Sequence, residues 1–152
     1  MLFEFSNQIL AAKLNLEKPT KEFVSSKIVT DSRKISKGDC FLALKGPNFN
    51  GHDFIDEALN RGASFVISEK NHPQDEKILG VDSTHECLSF LAKYQRKKFE
   101  GKVIGITGSN GKTSTKLLLS SLLSDKFDPS QIYASPGNWN NFYGLCFSPV
   151  SY

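Results

Sequence analysis

Little in this chain points to a special environment. Only three cysteines occur in 152 residues. Cys40, Cys87 and Cys146 stand far apart, odd in number and without metal-ligand spacing, which argues against a zinc site or a disulfide framework and fits buried thiols in a reducing compartment. No apolar run approaches the ~20 residues of a membrane span. The N-terminus carries Glu4 early and lacks a basic start followed by an unbroken apolar stretch, so it does not read as a signal peptide. These absences predict a cytoplasmic protein without a membrane partner. Excess charge of one sign is missing too: 19 Lys and Arg face 16 Asp and Glu, a net +3, scattered along the chain. That pattern leaves no nucleic-acid footprint. The basic cluster Arg96-Lys97-Lys98 most simply ends a helix, where cations complement the macrodipole. Repeats and low-complexity tracts are absent, and the length suits one domain or two small ones.

What is present alternates between strand and helix patterns, an α/β signature. A short helix is predicted over residues 6–14. A polar stretch at 15–21 gives way to apolar residues leading to Ile28-Val29-Thr30, and strands are predicted at 39–44, 64–67 and 78–81. Phe54, Ile55, Ala58 and Leu59 give one apolar face to a helix that Gly62 would end. Gly46-Pro47-Asn48-Phe49-Asn50-Gly51 is a turn-rich loop, and His72-Pro73-Gln74-Asp75 an exposed turn. Ser83-Thr84-His85-Glu86 has capping-box spacing and opens a helix with Cys87, Leu88, Leu91 and Tyr94 on its apolar side. A domain boundary is placed there, dividing the chain into residues 1–82 and 83–152.

The most informative segment is Gly105-Ile106-Thr107-Gly108-Ser109-Asn110-Gly111-Lys112-Thr113-Ser114. Val103-Ile104-Gly105-Ile106-Thr107 reads as a buried strand, and residues 112–124 as a helix whose N-terminus would face an anion. A polyphosphate needs many inward-pointing donors, and glycines let the main chain turn tightly around it. Gly108, Ser109, Asn110, Gly111, Lys112, Thr113 and Ser114 are therefore candidate nucleotide contacts. Lys112 would reach the phosphates and Thr113 would offer its hydroxyl to Mg²⁺. The full Walker spacing asks for glycine at position 106, where Ile106 stands, so the match is to the shorter Gly-x-x-Gly-Lys-Thr. The plain alternative is a glycine-rich strand-to-helix turn.

Three upstream stretches sharpen this. Thr30-Asp31-Ser32-Arg33-Lys34, then residues 37–46, then Asn50-Gly51-His52-Asp53-Phe54-Ile55 closely resemble the N-terminal domain of the Mur ligase family. The segment from Thr107 to Lys116 looks like that family's ATP loop, and Pro136-Gly137-Asn138-Trp139-Asn140-Asn141 resembles its later asparagine motif. The resemblance implies a small mixed-sheet N-terminal domain followed by an incomplete P-loop βα unit. It implies a UDP-N-acetylmuramoyl-peptide-type ligand held by Asp31, Ser32, Arg33, Lys45, Gly46, Asn50, Gly51 and His52, with Asn138, Asn140 and Asn141 also on the substrate side, and ATP with Mg²⁺ as cofactors. Members activate a carboxylate as an acyl phosphate, which an amine then attacks. Read without the family, Asp31-Ser32-Arg33 is a capped turn with a surface ion pair, and His52 a residue at a helix start.

The family's acidic Mg²⁺ ligand, its carbamylated lysine and its third domain are not encoded here, so no catalytic residue is named and catalysis by this chain alone is not expected. The tail departs from the pattern, with Gly144 fitting but Cys146 where proline is expected, and Phe142, Tyr143 and Phe147 read as packing residues. Leucines spread around the helix at 112–124 imply burial on more than one side. That helix and the tail are expected to pack onto the N-terminal domain or to form a homodimer interface. Three functional readings stay open: a truncated homologue that binds the precursor without ligating, a fragment or split half of an active ligase, and a vestigial interaction protein.

Overall fold

The computed structural model describes residues 4–25, 27–69 and 75–135. His72, the asparagine motif with Asn138, Asn140 and Asn141, and the tail with Cys146 lie outside them. Strand β1 (Phe5–Ser6) runs directly into helix α1 (Asn7–Lys13), because Ser6 is extended and its hydroxyl accepts the Ile9 N–H at 3.2 Å as an N-cap. β1 pairs antiparallel with β2 (Val24–Ser25). Four further strands form a parallel sheet in chain order: β3 (Ile28–Val29), β4 (Cys40–Leu42), β5 (Phe65–Ser68) and β6 (Ile78–Gly80). The mixture of sheet types expected from the sequence is thus realised as two separate sheets. Helix α2 (Ile55–Asn60) connects β4 to β5, and α3 (Thr84–Lys98) follows β6.

Side chains alternate along the parallel strands, and the two sets feed two cores. Ile28, Cys40, Leu42, Phe65, Ile67 and Leu79 face α1 and α3, whose Leu10, Ala11, Cys87, Leu88 and Leu91 complete that layer. Val29, Phe41, Ala43 and Val66 face the opposite way, against Ile55 and Ala58 of α2. Phe54, expected on the buried face of this helix, is 44% exposed and belongs to the preceding 3-10 turn. Gly62 ends α2 at φ +97°. Ser83 caps α3, accepting the Glu86 N–H at 3.2 Å, and Arg96, Lys97 and Lys98 occupy the last turn.

The segment 103–107 departs from expectation. It is no strand, and Val103 and Ile104 are 61% and 58% exposed. An apolar β-prone run becomes a strand only where a neighbour satisfies its N–H and C=O groups. Among the described residues no strand lies beside it. The following helix α4 (Lys112–Ser124) forms as expected but has no buried residue. Its packing onto the N-terminal domain is not found: Leu117, Leu118 and Leu122 are each more than 60% exposed.

Cys40 and Cys87 are free, buried thiols. Desolvation pushes the Cys87 thiol up to about 12, and raises Cys40 well above the usual range with added repulsion from Cys87 and Asp39. Both stay neutral in the fold while the unfolded chain ionises near 9.0, so their contribution is complete below that pH and is lost as pH rises through 9.0 toward 12. We expect the urea midpoint to fall steadily across this alkaline range. Alkylation at about pH 8 should leave both thiols intact until denaturant is added, and native-state modification of either would contradict this burial.

Candidate functional site

In parallel sheets, ligands are generally held by loops at the C-terminal ends of the strands. Here the segments singled out in the sequence leave that edge from adjacent strands. The first follows β3, where Asp31 caps a 3-10 turn at Ser32–Lys34. The Asp31 carboxylate accepts from the Arg33 main-chain N–H at 3.2 Å and from its guanidinium at 2.8 and 2.9 Å. This fork holds the Asp31 carboxyl below its ordinary range and raises the Arg33 guanidinium. The Arg33 side chain is nonetheless 78% exposed, a solvent-screened pair that an incoming anion can displace. Ser32 is buried and donates to Glu57 Oε2 at 3.0 Å, while Arg61 binds Glu57 Oε1 at 2.9 Å. The turn is therefore anchored on α2.

The second segment follows β4. Lys45 and Asn50 face each other across an antiparallel bridge, and the Gly46 N–H donates to the Phe49 carbonyl at 2.9 Å, closing a tight loop with Lys45 and Phe49 exposed. Gly51 then passes so close to the strand that its N–H bonds the Leu44 carbonyl at 2.7 Å. The Asn50 side chain accepts the His52 main-chain N–H at 3.3 Å and donates to Asp53 at 3.0 Å. His52 is buried; its Nδ1 lies 2.8 Å from Asn50 Oδ1 and its Nε2 accepts the Glu69 N–H at 3.0 Å. The ring thus staples the loop to the end of β5. Glu69 in turn accepts from the Thr84 N–H and hydroxyl, both at 2.9 Å. These bonds, led by the main-chain one, keep its carboxyl below the ordinary range.

The third segment precedes α4. Gly108 and Gly111 have φ of +148° and +77°, values only glycine adopts readily, and Gly111 occupies the N-cap position of α4. The Lys112 ammonium donates to the Gly108 carbonyl at 2.6 Å and the Ser109 carbonyl at 3.3 Å, folding back over its own loop. Residues 108–114 are exposed. The glycine geometry, the positive ends of the first N–H groups of α4 and the lysine suit a phosphate. Among the described residues no group of three or more His, Cys, Asp and Glu could hold a metal.

The structure thus brings residues 31–33, 45–46 and 50–52 to one edge of one sheet. Residues 108–114 are exposed, with the Lys112 ammonium bonded within that loop. Glu57, Glu69 and Thr84 organise the edge but were not picked out from the sequence. Glu69 stands directly after the strand run 65–68, the position where edge residues of a parallel sheet fall, and that signal could have found it.

Comparisons with known proteins identify relatives of this chain. A family model described as Mur ligase family, catalytic domain, matches residues 25–96. The chain is 42% identical over 123 residues to the UDP-N-acetylmuramoyl-tripeptide–D-alanyl-D-alanine ligase of Rickettsia prowazekii, covering 80% of this chain and 26% of that protein. The ligase of the same name from Bacillus subtilis is 36% identical over 121 residues, with 78% and 26% covered. Among solved structures, the MurF ligase from Thermotoga maritima in complex with ADP superposes with a TM-score of 0.72 at 42% identity, covering 82% of this chain and 28% of that one. A MurF structure from Acinetobacter baumannii gives a TM-score of 0.80 at 33% identity, with 98% and 33% covered. The chain belongs to the Mur ligase family. Within it, the chain is similar to the D-alanyl-D-alanine-adding ligases and spans about a quarter to a third of their length.

Proposed function

We propose that this chain binds a UDP-N-acetylmuramoyl-peptide-type ligand at the C-terminal edge of its parallel sheet, in the cytoplasm. The observation that carries this is the convergence of Asp31, Ser32, Arg33, Lys45, Gly46, Asn50, Gly51 and His52 on adjacent strand ends. Arg33 is the group for a diphosphate, since its guanidinium is exposed and needs only to leave Asp31. Gly46 and Gly51 allow close approach of the main chain, and the buried His52 supports the loop from behind. In this reading residues 1–82 serve the UDP ligand and residues 83–152 the nucleotide, with α3 packed on the former. Gly108, Ser109, Asn110, Gly111, Lys112, Thr113 and Ser114 would cradle ATP. Bound Mg·ATP would supply the phosphoryl group for activating a carboxylate; the chain's own part is to orient phosphates through main-chain N–H groups and Lys112. That a similar MurF ligase was solved in complex with ADP supports a nucleotide as the ligand in this reading.

Arg33→Ala tests the first part. It should weaken UDP-N-acetylmuramoyl-tripeptide by about tenfold or more, the loss of a charge-assisted hydrogen bond. The melting temperature should stay within roughly 2 °C, because exposed ion pairs contribute little. Unchanged affinity would remove Arg33 from the site.

The exposed Leu117, Leu118 and Leu122 favour a second reading alongside the first. We propose that a second copy of the chain covers this face, giving a homodimer through α4. Sedimentation should show a concentration-dependent dimer that Leu118→Asp abolishes, and a monomer at all concentrations would refute it.

A further inference from the structure

His52 is held by Asn50 within its own loop and by a main-chain group from outside it. A main-chain N–H, that of Glu69, points at Nε2 from 3.0 Å, so this nitrogen accepts and the ring proton resides on Nδ1, facing Asn50 Oδ1 at 2.8 Å. Glu69 has a second engagement. Its carboxylate oxygen Oε1 takes both the N–H and the hydroxyl of Thr84 at 2.9 Å, and Thr84 is fully buried. One residue at the end of β5 is therefore bonded through its main chain to residues 45–52 and through its side chain to the first residue of α3. The Ser83 hydroxyl takes the Glu86 N–H of α3, and Glu69 takes a second first-turn donor, the Thr84 N–H, so the start of α3 is fastened to β5 as well as capped locally.

We infer that Glu69 and Thr84 are positioning residues for the ligand loop: by tying the end of β5 to the start of α3 they fix the N–H that orients His52, and so pre-organise residues 45–52. A loop held in its binding conformation beforehand loses less entropy when the ligand arrives. The inference rests on reading this edge as the ligand site.

Hydrogen exchange on the full chain tests the lock directly. In Glu69→Ala the amides of Gly46 and Gly51, which the Glu69 side chain does not touch, should exchange about tenfold faster or more. The Val66 amide, at the centre of the sheet, should keep its protection. Glu69→Gln retains an oxygen for both Thr84 donors and should restore slow exchange. Glu76→Ala, removing an exposed carboxylate that pairs with Lys21, should change nothing in the loop. By calorimetry, Glu69→Ala should weaken UDP-N-acetylmuramoyl-tripeptide about tenfold, with Glu69→Gln within about threefold of wild type. Unchanged loop exchange in Glu69→Ala, or an equal rise throughout the sheet, would overturn the inference. If wild type fails to bind while the loop still responds to Glu69→Ala, the lock stands and the ligand assignment falls. If wild type binds and Glu69→Ala binds equally well, the positioning role falls.

Discussion

Gly51→Ala is expected to lower the melting temperature by roughly 10 to 20 °C and to abolish UDP-ligand binding, corresponding to about 2 to 3 kcal/mol of overpacking in a domain of this size. A Cβ at this position would lie 2.6 Å from the Leu44 oxygen, 2.8 Å from the Leu44 nitrogen and 3.1 Å from the Ala43 carbonyl carbon. All three are main-chain atoms of the strand exit and cannot swing aside as a side chain would. Relief requires residues 50–52 to move outward, which breaks the Gly51 N–H bond to Leu44 and carries Asn50 and His52 with it. Gly38→Ala is the control. Gly38 has φ +93° with nothing within 4 Å of the added carbon, so it bears only the conformational cost of about 1 kcal/mol. Thermal melts of the two variants should differ clearly, and a Gly51→Ala protein that melts with Gly38→Ala would show that the loop is not pinned to the strand.

Phe65→Ala should cost about 3 to 5 kcal/mol. The ring is fully buried on a central strand, where it faces α1 and α3 and meets Phe5 edge-on at a centroid distance of 5.8 Å and an interplanar angle of 77°. Truncation leaves a cavity between β1 and the parallel sheet that rigid neighbours fill poorly. Against the usual total of about 5 to 15 kcal/mol, such a loss would leave a substantial unfolded population at 37 °C. Urea denaturation followed by circular dichroism measures it directly. A midpoint near that of wild type would mean that the two sheets do not share this core.

Local chemistry was legible in the sequence wherever it sufficed. Ser83 with Glu86 and Gly62 after an apolar helix face fold as their residue types predict, and the run predicted as a strand at 64–67 forms one, shifted by one residue to Phe65–Ser68. The strand predicted at 39–44 is shorter, Cys40–Leu42, because pairing with β5 ends there. The failure at residues 103–107 has the same cause in full: the apolar pattern is present, but a strand is a property of a pair. At the candidate site, residue types marked segments that the structure brings to one sheet edge, and the plain reading of Asp31-Ser32-Arg33 as a capped turn with an ion pair describes its geometry. The bonds that arrange those segments were not legible. His52 meets Glu69 across 17 positions, Glu69 meets Thr84 across 15, and Ser32 meets Glu57 across 25. Spacing rules reach only three or four residues along a helix, or two along a strand. The inward turn of Lys112 onto the Gly108 and Ser109 carbonyls likewise depends on loop dihedrals that the Gly-Lys-Thr string does not specify.

The central claim is that the edge formed by the turn at 31–34 and the loop at 45–52 binds a UDP-N-acetylmuramoyl peptide. The most direct test is a titration of the 15N-labelled chain with UDP-N-acetylmuramoyl-tripeptide, followed by amide chemical shifts. Saturable shifts concentrated in residues 31–34 and 45–52, with residues 108–114 unmoved until Mg·ATP is added, are the predicted result. No saturable shift, or shifts centred elsewhere on the sheet, would contradict it.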